Sequence, residues 1–327
     1  MHYLVTGGSG FIGSHVIDRL LARGDRVTSL DDYSTGDAAN LAPVTSHPQL
    51  TILHGSVCDE LVVDEAASGV EAIIHLAAAV GVKRILERQV AGIMTNLRGT
   101  EVVLRAAAAH GRLPVFLASS SEVYGKGLKA PFVEDDDSLL GATSLHRWSY
   151  ACAKAMDEFL ALAYHRERGL PVRIGRFFNT TGPRQSAAYG MVLPRFCQAA
   201  LRGEALEVHG DGAQSRCFLH VADCVSALLA LLDSDDAVGQ VVNIGGAEEV
   251  TIKDLAQRVI AAAGSGSVKM LSYAEAFPEG GFEDLRRRVP SVAKLQALTG
   301  WTPERDLGAI IDDCLTACRA QAAAGDS

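Results

Sequence analysis

The sequence predicts an α/β protein, a doubly wound parallel sheet with a smaller α/β unit interleaved with it in sequence. Three observations carry this. Short β-rich apolar runs alternate with helical segments through the first half of the chain. A glycine cluster joins the first run to the first helix, and a helix starting at Val221 returns to the first unit after a polar excursion. The 327 residues, 48% hydrophobic and 21% charged, suffice for two cores or one large elaborated core.

Taken in order, His2-Tyr3-Leu4-Val5-Thr6 reads as a short buried strand and Gly7-Gly8-Ser9-Gly10-Phe11-Ile12-Gly13 as the turn after it. Ser14 to Gly24 is apolar at helical spacing and closes on a glycine. Gly7 suits a tight turn, Gly10 the approach of backbone to a pyrophosphate, and Gly13 close packing of helix on strand. A second strand, Arg26 to Leu30, delivers Asp31 to where an acid hydrogen-bonds a ribose diol and repels a 2'-phosphate. The pattern is that of a Rossmann-type site, selective for NAD over NADP. Phe11, Ile12, Asp32 and Ser34 join these residues as cofactor-binding candidates.

Three further strands follow: Leu50 to Ser56, Ala72 to Ala78, and Pro114 to Ser120. Ligands of such a sheet lie along the carboxyl ends of its strands. Ser56 and Val57 then flank the adenine, Leu76, Ala77 and Ala78 the middle of the dinucleotide, and Ser120 the nicotinamide end. His75, among apolar neighbours, reads as a satisfied core or strand-end histidine.

Tyr150 stands four residues before Lys154, which puts both on one helix face, so the ammonium favours the phenolate. Ser120 ends a strand and projects its hydroxyl into the same crevice. A hydroxyl that binds a substrate alcohol, a phenolate that takes its proton and a lysine that tunes the phenol make a hydride-transfer device.

With the glycine turn, Asp31, Ser120, Tyr150 and Lys154 together, the chain resembles the extended short-chain dehydrogenase/reductase family, in its nucleotide-sugar branch, with matching motifs to about residue 301. The resemblance implies a tightly held NAD, a nucleoside diphosphate sugar as substrate, and a homodimer packed through the Tyr150 helix and its neighbour. It places Asn96 and Phe177 near the cofactor. It assigns Asn179 and Arg216 to the diphosphate, Val192 to a segment wrapping a uracil nucleotide, and Asp284 and Arg286 to ribose and phosphate. It also implies a dinucleotide domain over 1–175, with a returning segment near 219–246, and a nucleotide-sugar domain over 176–218 and 247–327.

Oxidation at sugar carbon 4 opens the chemistry of this branch, and the fate of the ketone separates its enzymes. A 4,6-dehydratase keeps an acidic pair where this chain has Ser121 and Glu122, so Ser121 argues against dehydration. Both are catalytic candidates, and Glu122 resembles the decarboxylase and dehydratase form of the motif. Arg184, after Gly182-Pro183, occupies a position that meets a sugar carboxylate in uronate-handling relatives, because a neutral hexose would leave a buried arginine unpaired. Decarboxylases carry Tyr-x-x-Gly-Lys and then a basic residue, whereas this chain has Tyr150-Ala-Cys-Ala-Lys154-Ala155. The expectation is a UDP-sugar 4-epimerase, UDP-glucuronate to UDP-galacturonate ahead of UDP-glucose to UDP-galactose. The alternatives are a UDP-glucuronate decarboxylase and a non-catalytic NAD-binding scaffold, and the intact Ser120, Tyr150 and Lys154 oppose the scaffold.

Net charge narrows the partners. At -9 the chain lacks the basic surface that nucleic acid or an anionic membrane wants. Its seven cysteines are scattered without paired short spacings, which opposes a disulfide framework or a metal site. No secretory signal opens the chain and no apolar run reaches the length of a membrane span, so a cytoplasmic location is expected.

Overall fold

Successive residues of the central strands are buried, Leu4 with Val5, Ile73 with Ile74, Val115 with Phe116, so both faces of the sheet are covered. That is the signature of parallel pairing, in which crossover helices lie on each side. The computed structural model describes residues 1–79, 89–127, 129–186, 191–276 and 285–325. In it β1 (His2–Thr6), β2 (Arg26–Asp31), β3 (Leu50–His54), β4 (Ala72–His75), β5 (Val115–Ser120), β6 (Val172–Phe177) and β11 (Val241–Ile244) form one sheet. Its order is β11-β6-β5-β4-β1-β2-β3, and each adjacent pair is parallel. Strand order reverses between β1 and β4, which opens a crevice at their carboxyl ends. The register there sets Thr6 beside both Leu30 and His75, and Ser120 beside Phe177.

Helix α1 (Phe11–Ala22) and the helix Val221–Asp233 cover one face, burying Val16, Ile17, Leu20, Leu228 and Leu231 against Val5, Ile74 and Val242. Helices α2 (Glu60–Ala67), α3 (Gln89–Ala109) and α4 (Trp148–Arg168) cover the other, with Val63, Val102, Val103 and Ala161 against Leu4, Ile73 and Leu117. Asp59 caps α2 by accepting from the N–H of Leu61 at 3.0 Å. A left-handed Gly169 ends α4, which turns the chain into β6.

A third core gathers Leu193, Phe196, Leu255, Val259, Ile310 and Ile311 from helices Val192–Leu201, Ile252–Ala263 and Leu307–Gly325. Beside it, β9 (Ser215–Cys217) pairs antiparallel with β12 (Glu249–Thr251) and parallel with β14 (Arg287–Arg288). The Val221–Asp233 helix and β11 separate its two stretches in sequence; β11 belongs to the large sheet and the helix packs on that sheet's face.

Several boundaries differ from the sequence expectation, two of them beside the glycine turn, and the strand expected over 50–56 stops at His54. Helix α1 begins at Phe11 rather than Ser14, since Gly10 is extended and starts the helix directly. The strand expected over 72–78 stops at His75, where Leu76 and Ala77 turn to donate to the carbonyl and hydroxyl of Thr6. Among the described residues no helix is long and apolar enough to cross a membrane.

Candidate active site

The glycine turn is defined by contacts that only glycine allows. Gly7 has φ +71°, and a Cβ on it would stand 2.8 Å from the Ala77 nitrogen. A Cβ on Gly13 would collide with the Gly7 carbonyl, so α1 is drawn hard against the turn. No side chain caps α1 and no acid stands in its first turn, which suits an anion at its N-terminus. Phe11 and Ile12 pack their side chains onto the sheet core.

Asp31 ends β2 and accepts from the N–H groups of Ser9 and Tyr33, each at 2.9 Å. Burial pushes its carboxyl above the ordinary range, and those two donors pull it back. Asp32 is exposed and accepts from Ser34 N–H at 2.8 Å. The Ser56 hydroxyl accepts from Cys58 N–H at 3.2 Å, and Val57 is buried below Gly99. Asn96, buried on α3, accepts from Ala79 N–H at 2.9 Å and braces the loop that carries Leu76, Ala77 and Ala78. Phe177 stacks on Phe116 with centroids 6.1 Å apart. The uncapped helix start, the glycine contacts and the Asp31 carboxylate together fit a dinucleotide. Among the described residues no group of three or more His, Cys, Asp or Glu could hold a metal.

At the end of β5 the chain enters a 3-10 turn, Ser121–Tyr124, capped by the Ser120 hydroxyl, which accepts from Glu122 N–H at 3.2 Å. Ser121 is buried in this turn. The Ser120 hydroxyl lies beside the Tyr150 phenol and favours its ionised form. Lys154, almost wholly buried, donates to the Ala118 carbonyl at 2.9 Å and lies 3.2 Å from the Asp157 carboxylate. The expected phenolate meets a correction here. Burial raises the Tyr150 phenol above its ordinary range, Lys154 lowers it, and the charges of Glu122 and Asp157 oppose Lys154. Lys154 is shared rather than dedicated to Tyr150.

Glu122 projects from the turn into three arginines. Arg288 of β14 is 2.6 Å away, Arg147 at the start of α4 is 3.8 Å away, and the Arg216 charge also reaches it. Burial pushes the carboxyl up, but the arginines more than offset this and hold it below its usual value. Glu122 is therefore an anion at neutral pH and stores no proton for release as an acid.

Arg216 is buried and donates to the carbonyls of Ser215 and Leu285 at 2.7 and 2.8 Å. Asn179, at φ +31°, donates to the Cys217 carbonyl at 3.0 Å. Val192 opens the helix Val192–Leu201. Arg286 is exposed and pairs with Asp211 at 2.7 Å. Asp284 lies outside the described residues. Arg184 pairs with Asp18 of α1 at 2.7 Å, so its need for a counter-ion is met within the chain and does not require a sugar carboxylate. Arg147 and Arg288, which the sequence reading did not single out, stand instead at the catalytic turn. Arg147, three residues before Tyr150, carried the visible signal; Arg288 arrives only through the pairing of β14 with β9.

A family model described as the NAD dependent epimerase/dehydratase family matches residues 3–245. The chain belongs to that family. Its members therefore give the expected resemblance its footing, and NAD is the cofactor for which the cradle is built. The chain is 41% identical over 302 residues to the UDP-N-acetyl-alpha-D-glucosaminuronate decarboxylase of Bacillus cytotoxicus, covering 92% of each. It is 34% identical to UDP-glucuronic acid decarboxylase 1 of Danio rerio, covering 92% of this chain and 68% of that one. Among solved structures, DesIV of Streptomyces venezuelae, a dTDP-glucose 4,6-dehydratase solved with NAD bound, superposes with a TM-score of 0.88 at 31% identity, over 99% of this chain and 98% of that one.

Proposed function

We propose that this family member is an NAD-dependent decarboxylase of a UDP-hexuronate. The observation that carries the reading is the Glu122–Arg288 ion pair beside the Ser120–Tyr150 hydroxyl pair, with Arg147 at its flank. The two decarboxylase relatives support it and shift weight from the epimerase expected from sequence to the decarboxylase alternative.

Gly7, Gly10, Phe11, Ile12 and Gly13 would hold the pyrophosphate of NAD. Asp31, with Asp32 and Ser34 behind it, would hold the adenosine ribose. Ser56 and Val57 would flank the adenine, Leu76, Ala77, Ala78 and the Asn96 brace the middle, and Phe177, Tyr150 and Lys154 the nicotinamide end. When bound, NAD supplies a hydride acceptor that later returns the hydride.

Tyr150 takes the proton of the sugar 4-hydroxyl, and Ser120 orients that hydroxyl. A 4-ketone beside a carboxylate is a β-keto acid. As carbon dioxide leaves, the electron pair of the broken bond moves toward the 4-oxygen, where the Ser120 and Tyr150 hydroxyls stabilise it. The carbon takes a proton in place of the lost group. Three arginines around one glutamate give the turn a net positive field that admits a substrate with diphosphate and carboxylate. Asn179, Val192, Arg216 and Arg286 would take the nucleotide end, a role the family resemblance also gives Asp284, and Ser121 stays buried in the turn.

The rival epimerase is favoured by Ala153 and Ala155 around Lys154, where decarboxylases have glycine and a basic residue. Incubation with NAD and either UDP-glucuronate or UDP-N-acetylglucosaminuronate, followed by mass spectrometry, separates the readings. A product lighter by carbon dioxide supports decarboxylation. An isomer of unchanged mass supports the epimerase and overturns the proposal.

A second copy of the chain is the partner we propose for α3 and α4. Val90 and Met94 on α3, with Met156 and Phe159 on α4, are exposed apolar side chains on helices that pack together. Phe159→Glu is expected to convert a dimer into a monomer in analytical ultracentrifugation.

A further inference from the structure

Tyr150, Lys154 and Asp157 are spaced four and three residues apart on α4, a single helical face. The first two form the proposed catalytic pair. The third is an aspartate with a fully buried side chain, in a position where a carboxylate costs free energy unless something compensates it. Its Oδ2 lies 3.2 Å from the Lys154 Nζ, and neither oxygen makes a well-aligned hydrogen bond, so the contact is one of charge.

We infer that Asp157 is a positioning residue that acts through Lys154: it anchors the ammonium beneath Tyr150 and sets how strongly that ammonium favours the phenolate. The inference rests on the reading of Tyr150 as the proton-handling group. Lys154 is held from two sides, by the Ala118 carbonyl at the end of β5 and by Asp157 on its own helix. A lysine so fixed keeps its place beside Tyr150, and its field at Tyr150 is partly cancelled by the anion behind it.

The surroundings keep Asp157 from finding another partner. On its own helix the next acid, Glu158, is taken by Arg176 of β6, with hydrogen bonds at 2.9 and 2.7 Å, and by the Ser119 hydroxyl of β5. From α3 the Thr100 hydroxyl lies beside the Asp157 carboxyl, and Thr100 also meets the His75 Nε2 at 3.3 Å. His75 of β4 is tied through Nδ1 to Thr6 at 2.7 Å; burial first, then the Lys154 charge, pushes its pKa down to about 3, so it is neutral and offers no cation. On the crevice side Tyr150 faces Lys154 and the Glu122 cluster of Arg147, Arg216 and Arg288. Lys154 is thus the cation left to Asp157 among these groups. Burial raises the Asp157 carboxyl and Lys154 lowers it, as expected for a pair enclosed together.

With Asp157 ionised, part of the Lys154 field is cancelled and the Tyr150 proton is held more tightly. Replacing the anion by a neutral isostere leaves Lys154 unopposed, so Tyr150 ionises at lower pH.

The test reads Tyr150 itself and does not depend on turnover. In NAD-loaded protein with 13Cζ-labelled tyrosine, the Tyr150 resonance is assigned by its absence in Tyr150→Phe and followed with pH. Asp157→Asn is expected to lower its midpoint by about half a pH unit, because Asp157 acts on Tyr150 past Lys154 rather than in contact. Asp157→Glu, which keeps the charge, is expected to restore most of the wild-type midpoint. Asp157→Ser serves in the same titration if the asparagine variant does not fold. An unchanged or raised midpoint in a folded neutral variant overturns the inference. Once a substrate is in hand, the acid limb of kcat/KM is expected to move with the NMR midpoint. A Tyr150 midpoint that shifts as expected while no uronate is turned over sinks the functional reading and leaves the inference standing.

Discussion

The cofactor crevice and the arginine cluster over Glu122 are built from different kinds of information. Each element of the crevice is local in sequence: glycine turn, helix start and Asp31 lie within one strand–helix–strand unit, and their contacts follow from that order. The cluster is assembled from four separate places, the turn after β5, the start of α4, β9 and β14. Glu122 meets Arg288 across 166 positions of sequence only because β14 pairs with β9. The crevice therefore tells which cofactor is used, and the cluster carries the proposal for what becomes of the sugar.

Substitutions that divide the two regions sharpen this contrast. Arg288→Gln is expected to have the largest effect, lowering kcat/KM on the uronate about 100-fold or more, because it leaves the Glu122 anion without its nearest cation. NAD affinity, measured by calorimetry, is expected to be unchanged in that variant. A comparable loss of NAD binding would merge the two regions into one. Asp31→Asn is expected to act the other way, weakening NAD roughly tenfold or more through loss of a charged acceptor and narrowing the preference over NADP. The distribution of sugar products is expected to stay as in the wild type.

The smallest effect concerns the strands that carry the cluster. Arg287 of β14 holds Glu249 of β12 by two bonds of 2.7 Å, and with the Ser215 hydroxyl it pulls the Glu249 carboxyl down to about 2. A depressed carboxyl stabilises the fold above its unfolded value, near 4.5, and loses that contribution as pH falls toward 2. Because the pair is partly exposed, Glu249→Gln is expected to cost less than about 1 kcal/mol at pH 6, with the variant and wild type converging near pH 2 in urea unfolding. A constant gap across that range would mean that the pairing charge is not the cause.

Legibility in the sequence divides along the same line. The parallel direction of the first five strands followed from apolar runs and turn residues, and Tyr150 and Lys154 share one helix face as their spacing implied, with Ser120 beside Tyr150. The Lys154–Asp157 pair was hidden by its own simplicity, since an acid three residues on reads as a solvated helix face until burial is known. Arg184 shows the reverse. The argument that it needs a sugar carboxylate as partner could not foresee that it pairs with Asp18 of α1. Arg288 became visible only once strand pairing was known, because no local pattern records which strand meets the turn after β5.

The most direct measurement follows the sugar carboxylate in UDP-glucuronate and UDP-N-acetylglucosaminuronate labelled with 13C at carbon 6, using NAD-loaded wild type and the Arg288→Gln variant. Release of the label as carbon dioxide with a UDP-pentose left behind, strongly slowed in the variant, is the result expected here. Label retained in a 4-epimeric hexuronate would contradict it.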